Sequence, residues 1–533
     1  MTKRYATIDD MFRNTVEQYP DKTAIIFKED KITFSTLNKS VSRLAAALSK
    51  DVDKHERIAI YLPHMPEWII IWFALHRIGA VPVPVTHFYK HKELAYIVND
   101  SGSEIVFCSN RNFEQVMKVS TKNPLKKIIV VGNKDQSGLE EHSSMQQIDV
   151  VAMDDLLGDN YLFSPIVEID GRDTAELLYT GGTTGLPKGV PIKHVLFLDT
   201  INGTRKGIET IIPEGEAITI QGAPFNHIFG QDLGLGALLS GDTLILLPRL
   251  DLGEFLFHVD KYKATTLFGT PTFFKMLLEY KNIDNYNLKS VLYAVCAGEA
   301  LPSETAKRWT EKGGNPLYSI YGTTETCGYV AGATAGEPFP KGTVGRVVPT
   351  KQARLVDPDT LKSVSVNEPG TLLVSSKNMV TGYWNKPEET ALHFINLDGT
   401  LWYKTGDILR MDENGWLFFI DRSVDMIKHK GYRIAATKIE SVILKHEAIS
   451  ECCVVGIPDK DVGEKIKAFV VIRMDAKDVT VSKLLKWCEK NLAAYEIPHY
   501  IEFRNSLPKS AVGKLLRRKL RDKERQKQAG SPI

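Results

Sequence analysis

The sequence predicts an α/β protein: a large N-terminal domain of two α/β subdomains plus a small β-rich, barrel-like subdomain, followed by a smaller α+β C-terminal domain. Three observations carry this expectation. Apolar runs of strand length alternate with segments of helical periodicity between Thr7 and Val295, the pattern of a largely parallel sheet covered by helices. Beyond Gly342 the texture changes to short strands with frequent turns, and after Asp421 a compact mixture of helices and strands returns. The 533 residues have room for roughly three or four domains or subdomains.

The elements follow in order. Residues 7–19 and 36–49 carry apolar side chains at helical spacing, with Thr and Ser available as caps. Residues 57–62 (RIAIYL) read as a strand, 67–78 as a helix and AVPVPV as a return strand, with short buried strands at 105–108 and 127–131. Residues 133–165 are polar and irregular and read as a surface excursion. An apolar strand, AELLYT, precedes a glycine-rich loop, and a helix is expected from about Val195. Residues 217–221, 243–247, 266–268 and 291–295 read as strands between helices. VGRVVP, ARLVD, GTLLVSS and GWLFFI make up the β-rich part. Helices near 437–446 and 481–491, with strands at 452–455 and 468–472, complete the C-terminal domain, and the charged tail after Leu520 is expected to fray. The domains are expected at 1–421 and 426–533, joined by 422–425.

Composition narrows the function. A formal net charge of +2 and the lack of a basic stripe interleaved with aromatics argue against a nucleic-acid binder. The strongest apolar run, WIIIWFAL, is far short of a membrane span. MTKRYATIDDMF is too polar for a signal peptide, and the final SPI is not a peroxisomal address. Cys108, Cys296, Cys327, Cys452, Cys453 and Cys488 show neither metal-ligand nor disulfide spacing, as expected of idle thiols in a reducing compartment. The expectation is a cytoplasmic protein without a transmembrane segment, a monomer or homodimer.

Residues 179–190, YTGGTTGLPKGV, carry the chemistry. Gly181, Gly182 and Gly185 permit positive φ and close approach of backbone amides to an anion; Thr180, Thr183 and Thr184 add hydroxyls, and Lys188 adds a point charge. This suits polyphosphate. The loop is not a G-x-x-x-x-G-K-[ST] P-loop, because Pro187 stands where glycine is needed and Gly189 follows the lysine.

The loop resembles the signature of the acyl-adenylate-forming superfamily, which includes acyl-CoA synthetases, adenylation domains of peptide synthetases and beetle luciferases. The usual form there is YTSGTTGxPKGV, with Gly181 here in place of serine. Six further segments match in order, so the resemblance spans nearly the whole chain. In PFNHIFG it implies that His227 lines the acyl pocket beside the reacting carboxylate. In AGEAL it sets Gly298, Glu299 and Ala300 along the adenine. In YGTTE it implies that Tyr321 stacks on adenine, with Gly322 and Thr323 in the same binding run. There Thr324 bonds the α-phosphate and Glu325 holds Mg²⁺. In YKTGDILR and GWLFFIDR, Asp407 accepts from the ribose hydroxyls and Arg422 reaches the same sugar.

In RSVDMIKHKGYR the resemblance makes Lys428, Gly431 and Tyr432 the lining of a pantetheine tunnel. The family's pivot residue, usually Asp or Lys, falls on Val424; either Asp425 takes that part or an apolar hinge serves. In PKSAVGKLLRRKL, Lys514 matches the lysine that orients the carboxylate and the α-phosphate during adenylation. The C-terminal domain is implied to be mobile, offering Lys514 to one step and residues 428–431 to the next.

The implied function is an AMP-forming acyl-CoA ligase acting with ATP, Mg²⁺ and coenzyme A. The alternatives are an adenylation enzyme that loads a carrier protein and a non-catalytic nucleotide-binding protein of the same fold. NHIFG stands where amino-acid-activating domains carry F-D-x-S, and no carrier domain follows Lys514. Both observations favour free coenzyme A and a carboxylate without an amine. Ile320 before YGTTE leans toward an aromatic or alicyclic acid, with a fatty acid the other reading.

Overall fold

Local chemistry sets the first helix. The Thr7 hydroxyl accepts from the Asp10 amide at 3.1 Å and the Asp10 carboxylate accepts from the Thr7 amide at 2.9 Å, opening a helix over Ile8–Gln18. This reciprocal cap satisfies two amides that a helix start otherwise leaves bare. The computed structural model describes residues 5–120, 125–132, 148–158, 167–180, 186–430, 432–473, 476, 479–509 and 515–529. The helix Pro66–Arg77 is buried at every position except Glu67, as expected for an element that is apolar all round. The Arg77 guanidinium bonds Asp9 at 2.9 Å, Ser42 at 2.7 Å and Asn38 at 2.9 Å, tying this helix to Ile8–Gln18 and Phe34–Leu48.

Two sheets organise the N-terminal part. The first is parallel throughout, in the order Val81–Pro84, Arg57–Tyr61, Ile105–Ser109, Lys127–Val131, Asp149–Ala152. Its last strand and the short helix Met153–Leu156 correct the reading of 133–165 as irregular. DVVA is too short and too polar at its start to register as a strand, but it buries Ala152 once paired with Lys127–Val131.

The second sheet runs Leu317–Ser319, Tyr293–Cys296, Thr266–Gly269, Ile218–Ile220, Thr243–Leu246, Thr23–Phe27, Asp30–Thr33. All neighbours are parallel except the closing hairpin Thr23–Phe27 with Asp30–Thr33. Its strands Thr243–Leu246, Thr266–Gly269 and Tyr293–Cys296 are buried along their length, the mark of a sheet covered on both faces.

The strand Thr174–Thr180 pairs antiparallel with Lys188–Lys193, and the helix expected from about Val195 begins at His194. The chain divides into two compact units, Met1–Gln352 with Val374–Tyr403, and Ala353–Leu373 with Lys404–Ile533. It is a mixed α/β protein with a large N-terminal domain and a smaller C-terminal one.

In the second unit, Ile449–Asp459 pairs antiparallel with Gly463–Ile472, which in turn pairs parallel with Tyr500–Phe503. Helices Ala436–Ile443 and Val481–Asn491 bury Ile439, Ile443 and Leu484 with Val454, Ile466 and Ala468. The tail does not fray over its described part. Arg517–Ala529 is a helix whose Leu520 is buried with Cys453, Val455, Phe469 and Leu507. Its Glu524 carboxylate lies 2.9 Å from the Lys467 ammonium. Only one apolar residue in that turn faces the core, so the charge density hid the amphipathic face. All six cysteines are buried free thiols, and no helix among the described residues is long and apolar enough to cross a membrane.

Leu520→Ala should lower the stability of the C-terminal unit by about 2–5 kcal/mol, the usual cost of truncating a buried leucine. Urea denaturation reads this, and an unchanged midpoint would show that the tail does not dock.

Candidate active site

Four chemistry-bearing segments leave the carboxyl ends of four adjacent parallel strands. Residues 221–230 follow Ile218–Ile220, Thr270 follows Thr266–Gly269, residues 297–300 follow Tyr293–Cys296 and residues 320–325 follow Leu317–Ser319. That edge is where open α/β sheets bind ligands. Cross-links keep the segments together: the Glu299 carboxylate accepts from the Thr272 hydroxyl at 2.6 Å, and the Ile320 amide donates to the Cys296 carbonyl at 3.0 Å. Gly298 has φ +84° and open space where a Cβ would stand, so a flat ligand can approach its backbone; Ala300 is exposed beside it.

His227 is exposed, and its Nδ1 accepts from the Phe229 amide at 3.2 Å, which leaves Nε2 as the protonated nitrogen of the neutral ring. The turn before it rests on His64, whose Nε2 accepts from the Phe225 amide at 3.3 Å. Burial, with His87 adding to it, pushes His64 down to about 4, so it is a neutral acceptor at physiological pH.

The YGTTE run is a strand, Tyr321–Thr323, entering a tight turn, Thr324–Thr326. Tyr321 is buried, and Gly322 is obligatory there: a Cβ would stand 2.1 Å from the Gly328 carbonyl oxygen. Thr323 and Thr326 cap each other, with amide-to-hydroxyl distances of 3.2 and 3.3 Å. Lys351 donates to the Thr326 carbonyl at 2.8 Å and Thr200 to the Cys327 carbonyl at 2.8 Å. The turn that presents Thr324 and Glu325 is therefore fixed from beneath.

Glu325 is buried, and its Oε1 accepts from the Tyr383 hydroxyl at 2.8 Å. Burial and the Glu325 carboxylate push the Tyr383 phenol up, and burial does the same to Tyr403. Among the described residues no group of three or more His, Cys, Asp or Glu could hold a metal by itself. A lone buried carboxylate fits Mg²⁺, which takes one or two protein carboxylates and fills its shell with phosphate oxygens and water.

Lys188 sits at the first position of the strand Lys188–Lys193. Its ammonium is 3.1 Å from Glu389 and 4.3 Å from the centre of the Tyr383 ring. Both ends of the glycine-rich loop are pinned: the Tyr179 hydroxyl donates to Asp100 at 2.8 Å and the Tyr96 hydroxyl to the Pro187 carbonyl at 3.0 Å. Thr180 lies opposite Lys188 in the hairpin. Gly181, Gly182, Thr183, Thr184 and Gly185 lie outside the described residues.

The second unit holds its own set. Asp407 is buried opposite Arg422 in the antiparallel pair, with Arg422 Nε 3.4 Å from Asp407 Oδ1. Lys428 is exposed, and its amide donates to Glu464 at 2.8 Å. Tyr432 is exposed and stacks on Tyr495 with ring centres 4.4 Å apart. Asp425 accepts from Arg517 and Arg521, each at 2.9 Å, while Val424 is exposed. Gly431 and Lys514 lie outside the described residues.

Sequence reasoning missed Tyr383, Glu389, Asp100 and Lys351. The available signal was GYWNKPEET, a turn running into a helix with proline in its first turn. It also missed two buried acids. Burial pushes Asp232 up to about 7 and Glu176 up to about 8. The Glu176 carboxylate accepts from the Trp72 indole at 3.4 Å, and among the described residues its other oxygen has no hydrogen-bond partner.

The profile of the AMP-binding enzyme family matches residues 12–384, and that of the AMP-binding enzyme C-terminal domain matches 438–514. The chain belongs to the AMP-binding enzyme family. Within it the chain is an ATP-binding, AMP-forming acid–thiol ligase. It is 32% identical to a long-chain-fatty-acid–CoA ligase of Bacillus subtilis (strain 168), covering 97% of this chain and 94% of that protein. It is 30% identical to a long-chain-fatty-acid–CoA ligase of Escherichia coli O157:H7, covering 98% and 96%. Among solved structures it resembles an anthranilate–CoA ligase in complex with anthranoyl-AMP, with TM-score 0.88, 25% identity and 98% of each chain covered. A benzoate–CoA ligase of Burkholderia xenovorans LB400 gives TM-score 0.84 at 25% identity, covering 97% and 100%.

Glu176 gives a pH test of this AMP-binding fold. Its folded-state pKa lies above the value of a free carboxyl, so the folded chain holds this proton longer than the unfolded chain. Its contribution is fully present below about pH 4.5 and is lost as pH rises toward 8. Glu176→Gln, which mimics the protonated acid, should be the more stable protein at pH 8 and should nearly converge with the parent at pH 4.5. Parallel stability curves across that range would contradict the buried neutral carboxyl.

Proposed function

We propose that this chain activates a fatty or an aromatic/alicyclic carboxylate with ATP and Mg²⁺ and transfers the acyl group to coenzyme A. The observation that carries the reading is the pairing on one unit of Lys188, a cation at the mouth of the anion loop, with Glu325, a buried carboxylate on the strand-edge turn. A carboxylate oxygen attacks the α-phosphorus, the bond to the pyrophosphate oxygen breaks, and an acyl-adenylate forms. The thiol sulfur then attacks the acyl carbon and AMP leaves, the thiol proton passing to solvent.

Two anions must meet in the first step, so charge neutralisation is the main requirement, and one well-placed donor is worth about 3–4 kcal/mol. Lys188 and the 181–185 amides receive phosphate oxygens, and Thr324 donates to the α-phosphate. Glu325 holds Mg²⁺, which when bound offsets charge on the phosphates. Tyr321 and residues 298–300 take the adenine, Asp407 and Arg422 the ribose, and His227 lines the acyl site. Lys514 serves adenylation; Lys428, Gly431 and Tyr432 serve thioester formation. The commitment of the Asp425 carboxylate to Arg517 and Arg521 supports Val424, rather than Asp425, as the pivot of this exchange.

The higher identity to fatty-acyl ligases supports an aliphatic acid, and Ile320 with the aryl ligase structures supports a compact ring. A panel of both kinds of acid, scored for pyrophosphate release with and without coenzyme A, decides between them. Release that no acid stimulates would sink the reading. Lys514→Ala should lose adenylation by more than about a hundredfold while still making thioester from supplied acyl-adenylate. Equal loss of both half-reactions would contradict the division between Lys514 and residues 428–432.

A further inference from the structure

One aromatic side chain touches both charged groups of the proposed phosphate site. The Tyr383 hydroxyl donates to Glu325 Oε1 at 2.8 Å, and the Lys188 ammonium lies over the ring of the same residue, 4.3 Å from its centre. The two contacts come from segments 58 residues away in one case and almost 200 in the other, so neither is a by-product of local chain geometry.

The ring is held. Tyr383 is buried, with its edge contacts on Phe394 and His393 at 5.5 and 5.9 Å between ring centres. Its amide donates to the Thr390 hydroxyl at 2.9 Å, and the next amide, of Trp384, donates to the Gly189 carbonyl at 2.8 Å. Trp384 Nε1 and Asn385 Nδ2 both donate to the Asp100 carbonyl, at 3.0 and 3.1 Å, and Lys386 pairs with the Asp100 carboxylate at 2.8 Å. The backbone on both sides of the ring is therefore fastened to the scaffold that carries the anion loop.

We propose that Tyr383 is a positioning residue for the nucleotide–metal site: its hydroxyl orients the Glu325 carboxylate toward the metal, and its ring face seats the Lys188 ammonium. A carboxylate that spends one lone pair on a fixed donor keeps its remaining lone pairs in a fixed direction, which is what a hard cation with strict octahedral demands requires. A cation over a ring face stays within reach of an incoming anion while losing little of its charge. Glu389, 3.1 Å from Lys188 and partly exposed, is the anion that the polyphosphate replaces.

This rests on the ligase reading, in which Glu325 is the metal-binding carboxylate. The test is calorimetric binding of ATP, without acid or coenzyme A, in chelator and in excess Mg²⁺, for the parent, Tyr383→Phe, Tyr383→Leu and Glu325→Gln. Tyr383→Phe keeps the ring and loses the donor. It should bind metal-free ATP as the parent does and lose about tenfold of the Mg²⁺-dependent gain, the cost expected for one hydrogen bond to a charged group. Tyr383→Leu should weaken metal-free binding as well, because Lys188 loses its seat. Glu325→Gln should lose the Mg²⁺-dependent gain altogether. If Glu325→Gln loses the gain and Tyr383→Phe retains all of it, the positioning role is overturned and the ligase reading stands. If Glu325→Gln retains the gain, the assignment of the metal to Glu325 fails, and with it the premise of the inference. Thermal melts that coincide for parent and Tyr383→Phe separate a positioning effect from loss of fold.

Discussion

The site hangs on the interactions of Asp100. This residue lies in the last turn of the helix His91–Ser101, and its largely buried carboxylate accepts from the Tyr179 hydroxyl and pairs with Lys386, while its carbonyl receives Trp384 and Asn385. Three distant stretches of chain converge there: the strand that leads into the anion loop, the helix beside the first parallel sheet, and the segment that carries Tyr383 and Glu389. Leaving a buried carboxylate or ammonium without its partner is expensive, so this convergence is strongly specified. The placement of Lys188 next to Tyr383, and of Tyr383 next to Glu325, follows from it.

The charge pattern around that anchor suits polyphosphate chemistry. The hairpin of Thr174–Thr180 with Lys188–Lys193 offers a lysine whose resident partner is a half-exposed glutamate, and the turn beyond the second sheet's Leu317–Ser319 offers a glutamate whose resident partner is a neutral phenol. The lysine's counter-ion is thus one that a phosphate could replace. Beneath this layer the buried Lys351 holds the turn by one carbonyl, and burial pushes its ammonium down. Asp232, pushed up by burial to about 7, accepts from Thr204 at 2.9 Å. The groups beneath the site, Lys351 and Asp232, are thus both driven toward neutrality by burial.

Much of the fold was legible because buried parallel strands are continuous apolar runs. RIAIY, KIIVV, TLIL and YAVC stand out against polar flanks, and the structure sets them in parallel sheets, as expected. What escaped were elements whose strand or helix character depends on a neighbour. DVVA becomes a strand only beside Lys127–Val131, KGVPIK only opposite TAELLYT, and RRKLRDKERQKQA is a docked helix because Leu520 and Glu524 find Phe469 and Lys467. The same division holds at the site. Residues proposed to meet the ligand lie in runs with glycines, threonines and charges that declare their chemistry. Residues that orient them do not. Nothing in GYWNKPEET announces that its tyrosine lies on a carboxylate from YGTTE, because that contact is made by folding and not by spacing.

Attack of a substrate carboxylate oxygen on the α-phosphorus of ATP can be followed by labelling the acid with heavy oxygen and turning it over with ATP and coenzyme A. The AMP should then carry the label in its phosphate, and pyrophosphate should carry none. Label in a phosphate or pyrophosphate product, with ADP or unlabelled AMP beside it, would mean attack elsewhere on the nucleotide and would rule out an acyl-adenylate.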